Sequence, residues 1–97
     1  MNDANSTGVR DNPERQRFEL ETSAGVAIAE YRRDGDILTI FHTEVPPALR
    51  GRGIGDQLVR GVLDDMRHRH LKVVPRCWFV RGFIDNNPEY SDLVAHG

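Results

Sequence analysis

Residues 37–76 constrain what this chain can fold into more than any other stretch. The hydrophobic run Ile37-Leu38-Thr39-Ile40-Phe41 leads through His42, Thr43, Glu44 and Val45 into Pro46-Pro47. Proline lacks an amide donor, so this pair ends a strand's hydrogen-bond ladder. Gly51, Gly53 and Gly55 follow at alternate positions, with Arg50 and Arg52 between and before them. Ile54, Leu58, Val62 and Met66 then recur every four residues, and Val59 and Leu63 widen the stripe, which predicts an amphipathic helix over 54–70. Asp56 in its first turn and Arg67, Arg69 and His70 in its last suit the helix dipole. A short strand over 72–76, bounded by Pro75, completes a strand–helix–strand unit. Such crossovers are right-handed in about 98% of cases and make their strands parallel.

The flanking sequence builds a sheet around this unit. Residues 1–16 are polar, with Val9 their only β-branched aliphatic side chain, and read as a disordered N-terminal tail. Alternation predicts strands over 17–22 and 26–33, joined by Ser23-Ala24-Gly25. Asp34-Gly35 is the signature of a type I′ hairpin turn. The strand over 36–45 is apolar enough to suggest burial on both faces, and so a central place. A second helix over 78–85 stops at Asn86-Asn87-Pro88, and 89–94 closes the domain. The expected order is β-β-β-α-β-α, an α/β (α+β) fold with a compact mixed sheet covered by helices. It is organised as a tail over 1–16 and a single domain over 17–97.

At 97 residues the chain has room for one domain and a small core. Thirteen basic residues against fifteen acidic ones give a net charge of -2, which argues against a general nucleic-acid binder. No run reaches the roughly 18–20 apolar residues of a membrane span, and the polar N-terminus lacks the apolar core of a signal peptide. The single cysteine, Cys77, has no partner for an internal disulfide, in keeping with a reducing, cytoplasmic setting. No metal-ligand spacing stands out: His68 and His70 lie two apart on the helix and do not face each other.

The loop between strand and helix carries the chemistry. Glycines let backbone amides approach a bulky anion, the helix N-terminus adds unpaired donors and partial positive charge, and Arg50 and Arg52 add mobile charge. A dinucleotide fingerprint does not fit, because Asp56 stands where its third glycine belongs. A P-loop lysine is absent as well.

The spacing Val45-x-Pro47-x-x-Arg50-x-x-Gly53-x-Gly55 resembles the acyl-CoA-binding motif of the GNAT N-acetyltransferase superfamily. Phe41-His42-Thr43-Glu44-Val45-Pro46, Val74-Pro75-Arg76-Cys77 and Asn87-Pro88-Glu89-Tyr90 resemble that superfamily's small single-domain branch of acetyltransferases. The resemblance implies a GNAT-like sheet with a splayed pair of parallel strands and acetyl-CoA as cofactor. It further implies contacts from Glu44, Val45, Arg50, Gly51, Arg52, Gly53, Ile54 and Gly55, with pantetheine lying between the splayed strands near Cys77.

This sequence departs from the family's usual catalytic pattern. No acid occurs at 37–39, where a glutamate base is often found, and Ile84 occupies the place of a common tyrosine acid. The substitutes are His42, Glu44 and Cys77. His42 and Glu44 lie two apart on a strand, so they share a face and together suit amine deprotonation. Cys77 suits proton donation or an acyl relay. The aromatic trio Trp78, Phe79 and Phe83 reads as core. With only Ser23-Ala24-Gly25 between the first two strands, the acceptor side should be open and shallow. The implied function is an acetyl-CoA-dependent N-acetyltransferase acting by direct attack of an amine, on a protein or another exposed acceptor, by a monomer or weak dimer. The alternative is a non-catalytic acyl-CoA-binding or sensor module.

Overall fold

A computed structural model describes residues 8–95. A five-stranded sheet in the order β1-β2-β3-β4-β5 is built from β1 (Val9–Asn12), β2 (Arg17–Thr22), β3 (Gly25–Asp34), β4 (Ile37–Glu44) and β5 (Lys72–Pro75). The first three pairings are antiparallel and β4–β5 is parallel. Helix α1 (Ile54–His68) makes the crossover, and α2 (Trp78–Asn86) follows β5. A 3₁₀ turn over Pro88–Leu93 leads to Val94, which pairs with Val73 at the far edge. No helix among the described residues is long and apolar enough to cross a membrane.

The tail over 1–16 needs correction where it can be compared. Residues 1–7 lie outside the described residues, but Val9–Asn12 form a fourth antiparallel strand, with Val9 opposite Leu20, so the order is β-β-β-β-α-β-α. Val9 is buried, and Asp11 is tied down from far along the chain. It accepts a hydrogen bond from the Tyr31 hydroxyl at 2.6 Å and one from Arg69 Nη1 at 2.9 Å. Local apolar content could not reveal a strand held by partners this remote.

One face of the sheet makes the core. Ala27, Ala29 and Tyr31 of β3, Leu38 and Ile40 of β4 and Val73 of β5 are buried with Leu58, Val59, Val62, Leu63 and Met66 of α1 and Val80, Phe83 and Ile84 of α2. The small alanines of β3 let α1 lie close. Each fully buried large aliphatic side chain contributes about 1.5–3 kcal/mol. No described residue covers the other face, where Val26, Ile37 and Phe41 are all exposed; β4 is therefore neither the central strand, a place β3 takes, nor buried on both sides, contrary to its hydrophobic run, but it is an interior strand with one buried face. The Asp34-Gly35 signal marks the right hairpin but not the right turn. Asp34 pairs with Ile37, which puts Gly35 first in the two-residue loop. Gly35 has φ 63 while Asp36 is not left-handed, as in a type II′ turn.

Helix α1 ends at His68, two residues before its expected end at 70. His70 adopts φ 62, its amide donates to the Arg67 carbonyl, and the Leu71 amide donates to that of Met66 at 2.9 Å. This is a Schellman closure with histidine where glycine is usual.

Two irregularities of β4 shape the site. Glu30 pairs with His42 and Tyr31 with Ile40, so Phe41 is an extra, bulged residue. Pairing with β5 stops at Ile40–Pro75, where the Ile40 carbonyl accepts from both Arg76 and Cys77 amides at 3.0 Å. Beyond Ile40 no described strand pairs with the β5-side edge of β4, and the parallel strands part.

Candidate active site

The parting opens a cleft of about 650 Å³. One wall is the end of β4, from His42 through Val45; the floor is Leu49, Arg50, Gly51, Gly53, Gly55 and Asp56; the other wall is Trp78 and Phe79 of α2. Gly53 is the N-cap of α1 with φ 81, and no side chain caps the helix. The first intrahelical bond runs from the Gln57 amide to the Gly53 carbonyl at 3.0 Å. The amides before Gln57 are those an α-helix cannot satisfy internally.

The three glycines do different things. Gly51 and Gly53 have φ of 80 and 81, where only glycine is unstrained, and an added Cβ at either would meet nothing within 4 Å. They set the loop's path and leave the space above it open. Gly55 is a packing residue: a Cβ there would stand 2.7 Å from Phe79 Cζ. Its missing side chain admits the Phe79 ring against the start of α1.

Of the residues singled out from sequence, Glu44, Val45, Arg50, Gly51, Gly53, Gly55 and His42 line the cleft, while Arg52, Ile54 and Cys77 do not. His42 Nε2 lies 3.4 Å from Glu44 Oε1, and both side chains are well exposed. The Cys77 thiol is buried and lies 3.6 Å from the Thr43 hydroxyl. The bulge at Phe41 explains this division. It moves His42 and Glu44 to the open face, opposite Glu30 and Ile28, and turns Thr43 to the core face opposite Ala29. His42–Glu44 and Thr43–Cys77 are therefore two pairs on opposite sides of one strand.

Thr43, Leu49, Asp56, Trp78 and Phe79 also line the cleft and are not among the site residues expected from sequence. The core expectation holds for Phe83 and in part for Phe79, which is half-buried and packs against the core, but fails for Trp78, which is 81% exposed. The helical stripe Val80–Phe83–Ile84 already places Trp78 on the opposite side of α2, a signal the sequence did contain.

Tyr90 does not supply the missing acid. Its hydroxyl donates to Asp64 Oδ1 at 2.6 Å, and Arg60 and Arg67 cover its ring. Burial, and then that hydrogen bond, raise the phenol above its usual range. The Asn87-Pro88-Glu89-Tyr90 stretch pins the C-terminal turn to α1, helped by Arg67, which donates to Asp92 at 2.9 Å and to the Glu89 carbonyl at 2.7 Å.

A mixed sheet whose parallel strands part over the N-terminus of their crossover helix has the architecture of a GCN5-like acetyltransferase. Residues 17–93 match the GCN5-related N-acetyl-transferase family, and the chain belongs to it. It is 40% identical over 52 residues to Protein NATD1 of Bos taurus, across 54% of this chain and 46% of that protein. It is 31% identical over 93 residues to Protein NATD1 of Danio rerio, across 91% of this chain and 84% of that protein. The chain thus spans about half the length of the bovine relative it matches. A GCN5-like protein from Staphylococcus aureus, solved by NMR, shares the fold with a TM-score of 0.68 at 24% identity, over 95% of this chain and 92% of that one.

Proposed function

We propose that this chain moves an acetyl group from acetyl-CoA to an amine on a protein or another exposed acceptor, by direct attack of the amine on the thioester. The observation that carries this reading is the parted β4–β5 pair opening onto the uncapped N-terminus of α1. The residues present suit the cofactor. Gly51 and Gly53 leave open the space their side chains would take, and the amides of 53–56 offer donors to a pyrophosphate. Arg50 and Arg52 are exposed and have no acidic partner among the described residues. The free edge of β4 offers the unpaired backbone groups that pantetheine amides can satisfy. When bound, acetyl-CoA supplies an acetyl group activated as a thioester.

This chain's residues then divide the proton transfers. The uncovered sheet face brings an acceptor to His42, which takes the ammonium proton, and Glu44 steadies the resulting imidazolium. A base of this kind contributes roughly 10²–10⁴-fold. On the other side of β4, Thr43 lines the cleft and touches the Cys77 thiol, which makes Thr43–Cys77 the route for a proton to the departing thiolate.

One observation favours a second reading. Among the described residues neither tyrosine lines the cleft, since Tyr31 donates to Asp11 and Tyr90 to Asp64, and Ile84 is buried. A chain without a tyrosine acid suits a non-catalytic acyl-CoA-binding module. The two are separated in sequence. Coenzyme A at 100 times its Kd should stabilise the fold by about 2.7 kcal/mol, a rise in Tm of roughly 10–20 °C for a domain of this size. No shift with coenzyme A or acetyl-CoA would sink both readings. Given a shift, thiol release with lysine-bearing peptides above the rate in water supports the transferase, and its absence supports the binder.

A further inference from the structure

A second cavity of about 230 Å³ adjoins the main cleft. The two share Asp56, Trp78 and Phe79, so they meet at the first turns of α1 and α2. The smaller one runs along α2 past Gly82 and Phe83 to Asn86. Trp78, Gly82 and Asn86 stand at i, i+4 and i+8, one file on the helix surface.

Each member of this file is unexplained by folding. Trp78 is 81% exposed, although a tryptophan gains most from burial. Gly82 sits inside a helix, where glycine costs about 1 kcal/mol relative to alanine. Neither of the usual reasons for a glycine applies: its φ is not left-handed, and a Cβ would meet nothing within 4 Å. The space that Cβ would enter is the groove. Asn86 is exposed and lines the same cavity.

We propose that this groove seats the adenine of the cofactor whose pyrophosphate and pantetheine occupy the main cleft, an inference that rests on the acyl-CoA reading above. Trp78 is the stacking face. Gly82 keeps the groove open to the ring. Asn86 presents both a donor and an acceptor, the pair that matches adenine's N7 and exocyclic amine, and the Asp56 carboxylate is a second acceptor for that amine. Trp78 is also the chain's sole tryptophan, so it reports its own contact.

The test titrates the protein with coenzyme A and with 4′-phosphopantetheine, which lacks the adenosine, following Trp78 emission and heat of binding together. Coenzyme A is expected to quench the emission, and 4′-phosphopantetheine to bind without quenching. Trp78→Ala should weaken coenzyme A by about tenfold, in line with base–aromatic stacking, and leave 4′-phosphopantetheine unchanged. Gly82→Leu, which fills the groove with a better helix former, should do the same while raising Tm. Coenzyme A binding that neither quenches Trp78 nor responds to either substitution overturns the adenine seat and leaves the cofactor reading standing. Equal quenching by 4′-phosphopantetheine overturns it too, by placing the pantetheine arm on Trp78. Failure of both ligands to bind the unaltered protein removes the cofactor reading, and the adenine seat with it.

Discussion

Replacing Gly55 by alanine tests whether the start of α1 is a packing joint as well as an anion cradle. The new Cβ would lie 2.7 Å from Phe79 Cζ and 3.0 Å from Cε2. Carbon atoms prefer roughly 3.5–4.0 Å, so the ring must retreat by about 1 Å. Phe79 lines both cavities and packs against the core, so a ring pushed away from Gly55 changes the shape of both cavities. Overpacking of this kind costs about 1–3 kcal/mol, and alanine returns about 1 kcal/mol of helix propensity. The net is a loss of about 0–2 kcal/mol, a fall in Tm of up to roughly 16 °C. Coenzyme A affinity should fall as well, because the displaced ring changes the shape of the cleft. A double-mutant cycle with Phe79→Ala isolates the contact: in that background Gly55→Ala should be neutral or stabilising, with a coupling of about 1–3 kcal/mol. The reasoning fails if Gly55→Ala stabilises both backgrounds equally, or if affinity is unchanged while the coupling is present.

Three further outcomes are expected. His70→Gly removes a non-glycine residue from φ 62 and should raise stability by about 1 kcal/mol in a denaturant melt, with activity unaltered. Asp11→Ala removes the acceptor shared by Tyr31 and Arg69 and should cost about 1–3 kcal/mol; amide exchange should speed up in β1 before it does in β3. Burial, and then the bond to Asp11, raise the Tyr31 phenol, and Tyr90 is raised in the same sense. The folded state thus holds protons that the unfolded state loses at the ordinary value of 10.0, so this stability is complete below that pH and declines as pH rises above it. Tyr31→Phe should flatten the decline, and an unchanged alkaline melt would refute the assignment.

The βαβ unit was legible because each of its parts is written locally. Ile54, Leu58, Val62 and Met66 declare a helix by period, and Pro46-Pro47 and Gly51-x-Gly53-x-Gly55 declare the break before it. Strand β1 was not legible, because Asp11 owes its place to Arg69, 58 residues away. The open sheet face was half legible. The short Ser23-Ala24-Gly25 connection is itself too short to cover it, yet the run Ile37 to Phe41 looks like a strand buried on both sides. Trp78 is a residue type that usually packs inward, but its position on the helix turns it outward. Its neighbours Val80, Phe83 and Ile84 fix the buried side of α2 and exclude it.

The least legible feature has the largest consequence for mechanism. Period-two counting puts Thr43 on one face and His42 and Glu44 on the other, and this survives in the fold. What counting could not supply is which face is which. One bulged residue, Phe41, reverses the phase set by Leu38 and Ile40, so that His42 and Glu44 point to the open side and Thr43 to the core. Without the bulge, His42 and Glu44 would be turned toward the helices and Thr43 outward. The bulge thus sets His42 and Glu44, the base and its support in the proposed reaction, on the exposed side and keeps the buried Cys77 thiol behind Thr43. A relay through Cys77 would require the acceptor to reach a buried sulfur from the far side of β4. Direct attack requires only that the amine meet the thioester at the free edge of that strand. Cys77→Ala separates these cases: under direct attack it slows transfer only as far as the departing thiolate needs a proton, an effect that shrinks as pH rises. Under a relay it abolishes transfer at every pH and removes any acetyl adduct on the protein.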